Sequence, residues 1–220
     1  PLLKNKRMKM TVKESAKRAR LTDFIWFFAR RSIWKQIGFL LLYYASIIGI
    51  LSVLRSYLVD LDYSMKEIGI MIGIVGTGAA FASSFLAGLL VRKIGRYYSR
   101  ILFAIFILFT TLYFMCISWT PPSLPMLCLG IVLLWSAYGM ATIVVYTTAM
   151  DCVRKGCEGT DFTIQTVLTH LSGLLMAFLS GVVADRVGYH GLFIFEVVLA
   201  SISLIYIFCF FRKESQTIHS

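Results

Sequence analysis

Two short stretches decide how this chain folds: GLLVRKIGR at residues 88–96 and GVVADRVG at residues 181–188. In each, a glycine after an apolar run is followed seven residues later by a second glycine, with a basic residue between them. Glycine adopts backbone conformations that other residues avoid, so this pattern predicts a sharp turn at the end of a helix. The copies are 93 residues apart, which indicates that one structural unit occurs twice.

The long apolar runs around these stretches indicate a membrane protein. The chain has 220 residues, of which 58% are hydrophobic, and its mean hydropathy is +0.78. A soluble domain of this size has too little interior to bury so much apolar surface. A bilayer core requires about 20 apolar residues per helix, and the runs lack the alternation of a membrane barrel. We therefore predict an all-α membrane protein with six transmembrane helices, at about residues 37–59, 68–91, 101–119, 125–150, 162–183 and 192–211.

The basic residues indicate the orientation of these helices. Eleven of the 22 Lys and Arg precede the first helix, and eight more lie in the loops and tail on the same predicted side. Basic loops favour the cytoplasmic side of a membrane. Both ends of the chain are therefore expected in the cytoplasm, and the membrane is expected to be a bacterial inner membrane. This distribution explains the net charge of +11 without a nucleic-acid partner.

The chain divides into a cytoplasmic linker (residues 1–36), a six-helix bundle (37–211) and a cytoplasmic tail (212–220). The linker contains LTDFIWFFARRSIW at residues 21–34, which predicts an amphipathic helix lying in the membrane interface. Its predicted apolar face consists of Leu21, Phe24, Ile25 and Phe28.

The beginning of the chain carries a further expectation. It starts with Pro1 and the apolar letters PLL before a basic run, as if an earlier hydrophobic segment ended there. We expect the chain to be the later part of a longer protein.

The two glycine pairs divide the six helices into two groups of three. Each pair ends the second helix of its group, and three crossings separate the pairs, so they lie on opposite faces of the membrane. This arrangement predicts two inverted three-helix repeats. The glycines are also expected to let neighbouring helices approach closely. A stripe of small residues on the second helix is expected to do the same, and it consists of Gly76, Ala80, Ser84 and Gly88.

The first stretch resembles the cytoplasmic loop motif of the major facilitator superfamily, G-x-L-a-D-r-x-G-r. It departs from the motif at Arg92, where the family has aspartate, and at Lys93, where it has arginine. The resemblance implies the C-terminal bundle of a secondary transporter, with an N-terminal six-helix half as partner, and a gating role for the motif residues. Those residues are Gly88, Arg92, Lys93, Gly95 and Arg96 in the first copy and Gly181, Asp185, Arg186 and Gly188 in the second, which faces outward in this topology.

A narrower resemblance lies in YTTAMDCVRKGCEGTDFTIQ, residues 146–165, and in YLVDLDYSMKEIG, residues 57–69. Both are similar to the siderophore importers of the rhizobactin and pyochelin type, relatives of the muropeptide permeases. This implies import of an iron–siderophore complex driven by an ion gradient, with protons as the expected symported ion. Two alternatives stay open: the same fold carrying muropeptides, peptides or drugs, and a membrane scaffold or truncated gene remnant that transports nothing.

Polar and aromatic residues within the predicted helices are the candidates for a transport pathway, because such groups usually face a cavity or a partner inside a membrane. Packing is the alternative for Trp135, Tyr138, Tyr146 and His170. An ion pair with Arg186 or Arg55 is the alternative for Glu196, and Asp60 and Asp62 are close enough in sequence to neutralise Arg55. The pathway candidates are Tyr43, Tyr44, Arg55, Trp135, Tyr138, Tyr146, Gln165, His170 and Glu196.

Three charged residues flank the loop between the fourth and fifth helices. Asp161 is expected to cap the start of the fifth helix. Asp151 and Arg154 lie near the end of the fourth and are expected to tie cytoplasmic loops together during closure.

No pattern in the sequence indicates an enzyme or a cofactor. A phosphate-binding loop is missing, so ATP is not expected to drive the chain directly. The five cysteines are odd in number, and a lone C-x4-C pair without histidines is weak evidence for a metal site. Any iron is therefore expected to arrive already chelated, as part of a small-molecule substrate.

Overall fold

The computed structural model describes residues 21–120 and 122–211. Most of the predicted linker (1–20) and the predicted tail (212–220) lie outside the described residues. The described helices are α1 (Leu21–Ala29), α2 (Ile33–Tyr43), α3 (Ala45–Asp60), α4 (Met65–Ile68) with a π-helical continuation (Gly69–Gly76), α5 (Thr77–Ile94), α6 (Arg96–Ile117), α7 (Leu124–Asp151) and α8 (Glu158–Phe211).

Five helical stretches within these ranges are long and apolar enough to cross a membrane. We call the first four the first to fourth spans: Ile33–Asp60, Met65–Ile94, Arg96–Ile117 and Leu124–Asp151. The last stretch, α8, has 54 residues. At about 1.5 Å per residue it would be far longer than a bilayer is thick.

The α8 helix in fact folds back on itself at Gly188. The Ser180 hydroxyl donates to Glu196 Oε1 over 2.6 Å, although 16 residues of straight helix would hold these two side chains about 24 Å apart. The backbone of Gly188 is non-helical. We therefore describe residues 158–187 as the fifth span and 189–211 as the sixth, which gives six apolar spans as the sequence predicted.

The later glycine of each repeated stretch makes the predicted turn. Gly95 has φ 83° and ψ 166°, and Gly188 has φ 74° and ψ 175°. These two conformations are nearly the same, and they lie in a region that only glycine occupies readily. The predicted role of Gly88 and Gly181 in close helix approach is wrong, because a Cβ atom on either would meet no atom within 4 Å.

Replacing either turn glycine with alanine is expected to destabilise the bundle. Gly95→Ala and Gly188→Ala should each lower the free energy of unfolding by about 1–3 kcal/mol, because the added Cβ clashes with its own backbone. Gly88→Ala and Gly181→Ala are the matched controls and should leave stability unchanged or slightly raised. The thermal midpoint of the purified protein in detergent is the measurement, and equal midpoints for all four variants would contradict the expectation.

Close helix contacts form at glycines outside the repeated stretches. A Cβ on Gly139 of the fourth span would lie 2.6 Å from the Ala80 carbonyl oxygen and 2.7 Å from the Ser84 hydroxyl of the second span. Part of the predicted small-residue stripe therefore packs against the fourth span at Gly139. Gly49 brings the first span equally close to the fifth and sixth spans.

The α1 helix ends at Ala29, earlier than predicted, and its buried side differs from the predicted apolar face. Phe27 is fully buried, whereas Phe24 and Ile25 are exposed. Phe27 belongs to a small apolar cluster with Ile33, Ile37 and Ile164. Residue Phe27 thus fixes α1 against the bundle near the start of the fifth span.

Candidate translocation groove

A groove lies between the first, fourth and fifth spans. Tyr44 lies near the middle of the first span, and Tyr138 lies near the middle of the fourth. Its volume is about 350 Å³. We call it the tyrosine groove, and its lining residues are Tyr44, Ile48, Tyr138, Tyr146, Thr169, His170, Gly173, Leu174 and Ala177. Four of the nine pathway candidates from the sequence thus line one groove: Tyr44, Tyr138, Tyr146 and His170.

Tyr44 and Tyr43 point to different sides of the first span. The Tyr44 hydroxyl lies 2.5 Å from Thr142 Oγ1, and Thr142 donates its own proton to the Tyr138 carbonyl. Because a hydroxyl has only one proton, Tyr44 must be the donor to Thr142. Tyr43 is buried and donates to the Arg100 carbonyl over 3.2 Å, so it does not line the groove.

The fourth span contributes a polar stripe to the groove wall. Tyr138, Thr142 and Tyr146 follow each other at four-residue spacing, so they share one face of the helix. The Tyr138 ring meets the Tyr44 ring edge-on, with 5.8 Å between centroids. Trp135 instead packs against Gly76 of the second span, which agrees with its packing alternative.

His170 and Gln165 are both pathway candidates, but they lie on different faces of the fifth span. Gln165 is fully buried and donates to the Ala149 carbonyl. His170 is exposed in the groove, and its Nδ1 lies 2.8 Å from the Thr166 carbonyl oxygen. A carbonyl only accepts, so Nδ1 carries a proton and the neutral ring keeps Nε2 as an acceptor.

Glu196 pairs with neither predicted arginine. Its side chain is fully buried, and Oε1 accepts the Ser180 hydroxyl proton. Oε2 has no hydrogen-bond partner within the described ranges. A Cβ on Gly49 would overlap the carboxylate, so Glu196 lies where the first, fifth and sixth spans meet.

Arg55 lies near the end of the first span that is opposite the basic loops. It lines a separate cavity of about 330 Å³, together with residues of the second span. No ion pair joins it to Asp60 or Asp62 in the described part of the chain, and Asp60 instead accepts a hydrogen bond from Tyr189. The neutralisation of Arg55 by these carboxylates therefore stays a prediction, without a direct contact among the described residues.

Among the residues that the structure describes, Arg96, Asp151, Arg154 and Asp161 form two ion pairs at the other end of the bundle. Arg96 pairs with Asp151 at the surface. Arg154 pairs with Asp161, at 2.6 Å from its terminal nitrogen to Oδ1. Because α8 begins at Glu158, Asp161 lies within the first turn and binds Arg154, and its prediction as a cap is wrong.

The remaining motif residues are exposed helix-end side chains. Arg92 and Lys93 lie in the last turn of α5, and Asp185 and Arg186 precede the turn at Gly188. No ion pair joins any two of these four side chains in the ranges that the structure covers.

Three residues that organise these sites are not among the candidates from the sequence: Thr142, Gly49 and Ser180. The four-residue spacing from Tyr138 through Thr142 to Tyr146 was a signal available in the sequence. No local signal connects Gly49 or Ser180 to Glu196, since Gly49 lies 147 residues away in the chain.

Comparison with known proteins identifies the family. Residues 37–219 match the Major Facilitator Superfamily. The chain belongs to this superfamily. Its members are secondary transporters and not enzymes, and the several apolar spans agree with an integral membrane protein.

Two curated relatives have the name "Putative transporter AmpG 4". The protein of Rickettsia felis is 22% identical over 163 residues, which cover 74% of this chain and 39% of the relative. The protein of Rickettsia conorii is 22% identical over 149 residues, covering 68% of this chain and 36% of the relative. The chain thus aligns with less than half the length of the relatives it matches.

Proposed function

We propose that this chain is one half of a proton-coupled importer that carries an iron–siderophore complex across a bacterial inner membrane. It would work by alternating access against an N-terminal six-helix half, with its basic loops in the cytoplasm. The tyrosine groove is the observation that carries the proposal, because it gathers hydroxyl groups and an imidazole near the middle of the membrane.

The chemistry of the groove supports a bulky, oxygen-rich cargo. Its lining contains three tyrosines, a threonine and a histidine, and no carboxylate or ammonium group among the described residues. Tyrosine offers a flat apolar face and a hydrogen-bonding tip, which suits ring-bearing ligands with many oxygens. The resemblance of residues 146–165 to siderophore importers favours this cargo over other solutes of the same kind.

A muropeptide is the second candidate cargo. The siderophore importers that the chain resembles are relatives of muropeptide permeases, and the AmpG-named relatives are transporters by name. A sugar ring with a short peptide also presents flat faces and many oxygens to the groove.

His170 and Glu196 are the groups that we propose for proton coupling. His170 faces the groove, and its Nε2 is the ring nitrogen that can accept a proton. Glu196 is a buried carboxyl group at the junction of three spans, and such groups mark proton pathways in many transporters.

The matched turns at Gly95 and Gly188 support two inverted repeats. Each turn follows the second span of a three-span group, and the two backbone conformations agree within about 10° in both angles. This bundle of two repeats would alternate access by rocking as one unit against the N-terminal half.

The test is uptake of labelled ferric siderophore into iron-starved cells that carry the full-length gene. Uptake that a proton uncoupler abolishes would support both cargo and coupling. No uptake of any siderophore, in cells shown to contain the protein, would refute the siderophore proposal. Muropeptide uptake would then be measured in the same cells.

Removing one groove hydroxyl should weaken uptake without unfolding the protein. Tyr138→Phe is expected to raise the substrate concentration for half-maximal uptake about three- to tenfold, the value of one hydrogen bond. Tyr63→Phe, which changes a tyrosine outside the groove, is the control and should have no effect. Equal behaviour of both variants would remove Tyr138 from the pathway.

A further inference from the structure

The polar side chains of the tyrosine groove differ in whether they have a proton to donate to a cargo. Three of them, those of Tyr44, Thr169 and His170, already donate to neighbouring atoms of the chain. The other two, the hydroxyl groups of Tyr138 and Tyr146, form no hydrogen bond with the described residues, so each can both donate and accept. The groove thus contains three side chains that can only accept a hydrogen bond from a cargo.

Tyr44 is fixed as an acceptor by two consecutive hydrogen bonds. Thr142 gives its only proton to the Tyr138 carbonyl oxygen over 2.8 Å. The Tyr44 hydroxyl therefore gives its own proton to Thr142 Oγ1 over 2.5 Å, and only its lone pairs remain for a cargo. Thr142 is not one of the lining residues, so it is a positioning residue that acts on the groove through Tyr44.

Thr169 and His170 are acceptors because the backbone of their own helix takes their protons. Thr169 Oγ1 donates to the Gln165 carbonyl oxygen over 2.9 Å. The Nδ1–H group of His170 donates to the Thr166 carbonyl oxygen over 2.8 Å, which leaves Nε2 of the neutral ring as an acceptor. Each carbonyl lies four residues before the side chain that it binds, so both bonds are local to the fifth span.

We infer that the tyrosine groove selects its cargo by hydrogen-bond donors, namely hydroxyl, amide N–H or ammonium groups. This inference rests on the proposed role of the groove in transport. A cargo with donors can pair with all five polar side chains, whereas a cargo with acceptors alone can pair only with Tyr138 and Tyr146. In the second case three acceptors would lose their water without a replacement, and sites of this kind reject ligands that lack the donor.

The same selection determines which surface of each candidate cargo faces the groove. Carboxylates and iron-bound oxygens only accept hydrogen bonds. An iron–siderophore complex would therefore turn its amide backbone toward the groove and its iron centre away from it. A muropeptide would present its hydroxyl and amide N–H groups. Blocking these donors with methyl groups should weaken the binding of either cargo.

Equilibrium dialysis of the purified full-length protein in detergent tests this inference with two pairs of labelled probes. One pair is a ferric trihydroxamate with secondary amides and the same chelate with those amides N-methylated. The other pair is a muropeptide before and after O-methylation of its hydroxyl groups. In a pair that binds, the probe with free donors should bind at least about tenfold more tightly than the methylated probe.

Substitutions at Thr142 show whether this ratio depends on the polarity of the groove. In Thr142→Val the Tyr44 hydroxyl regains a proton for the cargo, so the ratio should fall about three- to fivefold. Thr142→Ser keeps the acceptor and should keep the ratio. Thr147→Val is the matched control: it is the same change on the same helix, but Thr147 donates to the Ile143 carbonyl and does not line the tyrosine groove.

The ratio separates selection by donors from a general effect of the substitution. A ratio that falls with Thr142→Val and not with Thr147→Val supports the inference. A merely structural role of Thr142 would weaken both probes of a pair equally and leave the ratio unchanged, which overturns it. Equal binding within each pair, or no binding of either pair, overturns it as well. Because dialysis measures binding without transport, selective binding together with failed uptake would refute the import proposal and leave this inference standing.

Discussion

Replacing Arg154 with alanine is expected to destabilise the protein severely. Asp161 is fully buried, and Arg154 donates to it from the backbone nitrogen (3.0 Å), from Nε (2.8 Å) and from a terminal nitrogen (2.6 Å). Removing the side chain leaves a buried carboxylate without its countercharge. Breaking a buried pair from one side costs about 3–5 kcal/mol, and the thermal midpoint in detergent should fall accordingly.

Two further variants show whether burial is the cause. The double variant Arg154→Ala/Asp161→Asn also removes the negative charge of the buried Asp161 carboxylate. It should therefore be more stable than Arg154→Ala alone. Arg96→Ala is the matched control, since Arg96 and Asp151 are 55% and 27% exposed and an exposed pair contributes at most about 1 kcal/mol. If Arg154→Ala and Arg96→Ala had equal effects, the Asp161 pair would not be a buried structural element.

The spans and the two turns could be predicted because they depend on local chemistry. Apolar length sets the number of crossings, and the conformations of Gly95 and Gly188 exclude other residues. Span ends were predicted less well: the first span begins at Ile33 and not at residue 37. Lys35 and Gln36 lower the local hydropathy, but the helix continues because Ile33, Gln36 and Ile37 are buried against the bundle. Gln36 also donates a hydrogen bond to Thr148 of the fourth span.

Side-chain partners could not be predicted, since they depend on distant parts of the chain. Asp161 has the position of a helix cap in sequence, but Arg154 reaches it across the loop. Sequence periodicity predicts which residues share a helix face, but it does not predict which other helix packs against that face. For this reason the motif glycine Gly88 was predicted at a helix contact, whereas the contact with the second span is made by Gly139.

The second large effect is expected at Gly49. A Cβ there would overlap Glu196 Oε1 and lie 2.5 Å from the Ser180 hydroxyl oxygen. Gly49→Ala should therefore push the first span away from the fifth and sixth and break the hydrogen bond from Ser180 to Glu196. Overpacking of this kind costs about 1–3 kcal/mol, and the lost partner of a buried carboxyl group adds about as much again.

A double-variant cycle assigns this effect to Glu196. Glu196→Ala removes the group that the new methyl would strike, so Gly49→Ala/Glu196→Ala should be more stable than the sum of the single effects predicts. Gly181→Ala, at a helical glycine with no neighbour within 4 Å, controls for the glycine-to-alanine change itself. Strict additivity of the two single variants would show that the junction of the three spans is looser than the Gly49 contact implies. It would also remove the main structural reason for placing a coupling carboxyl group there.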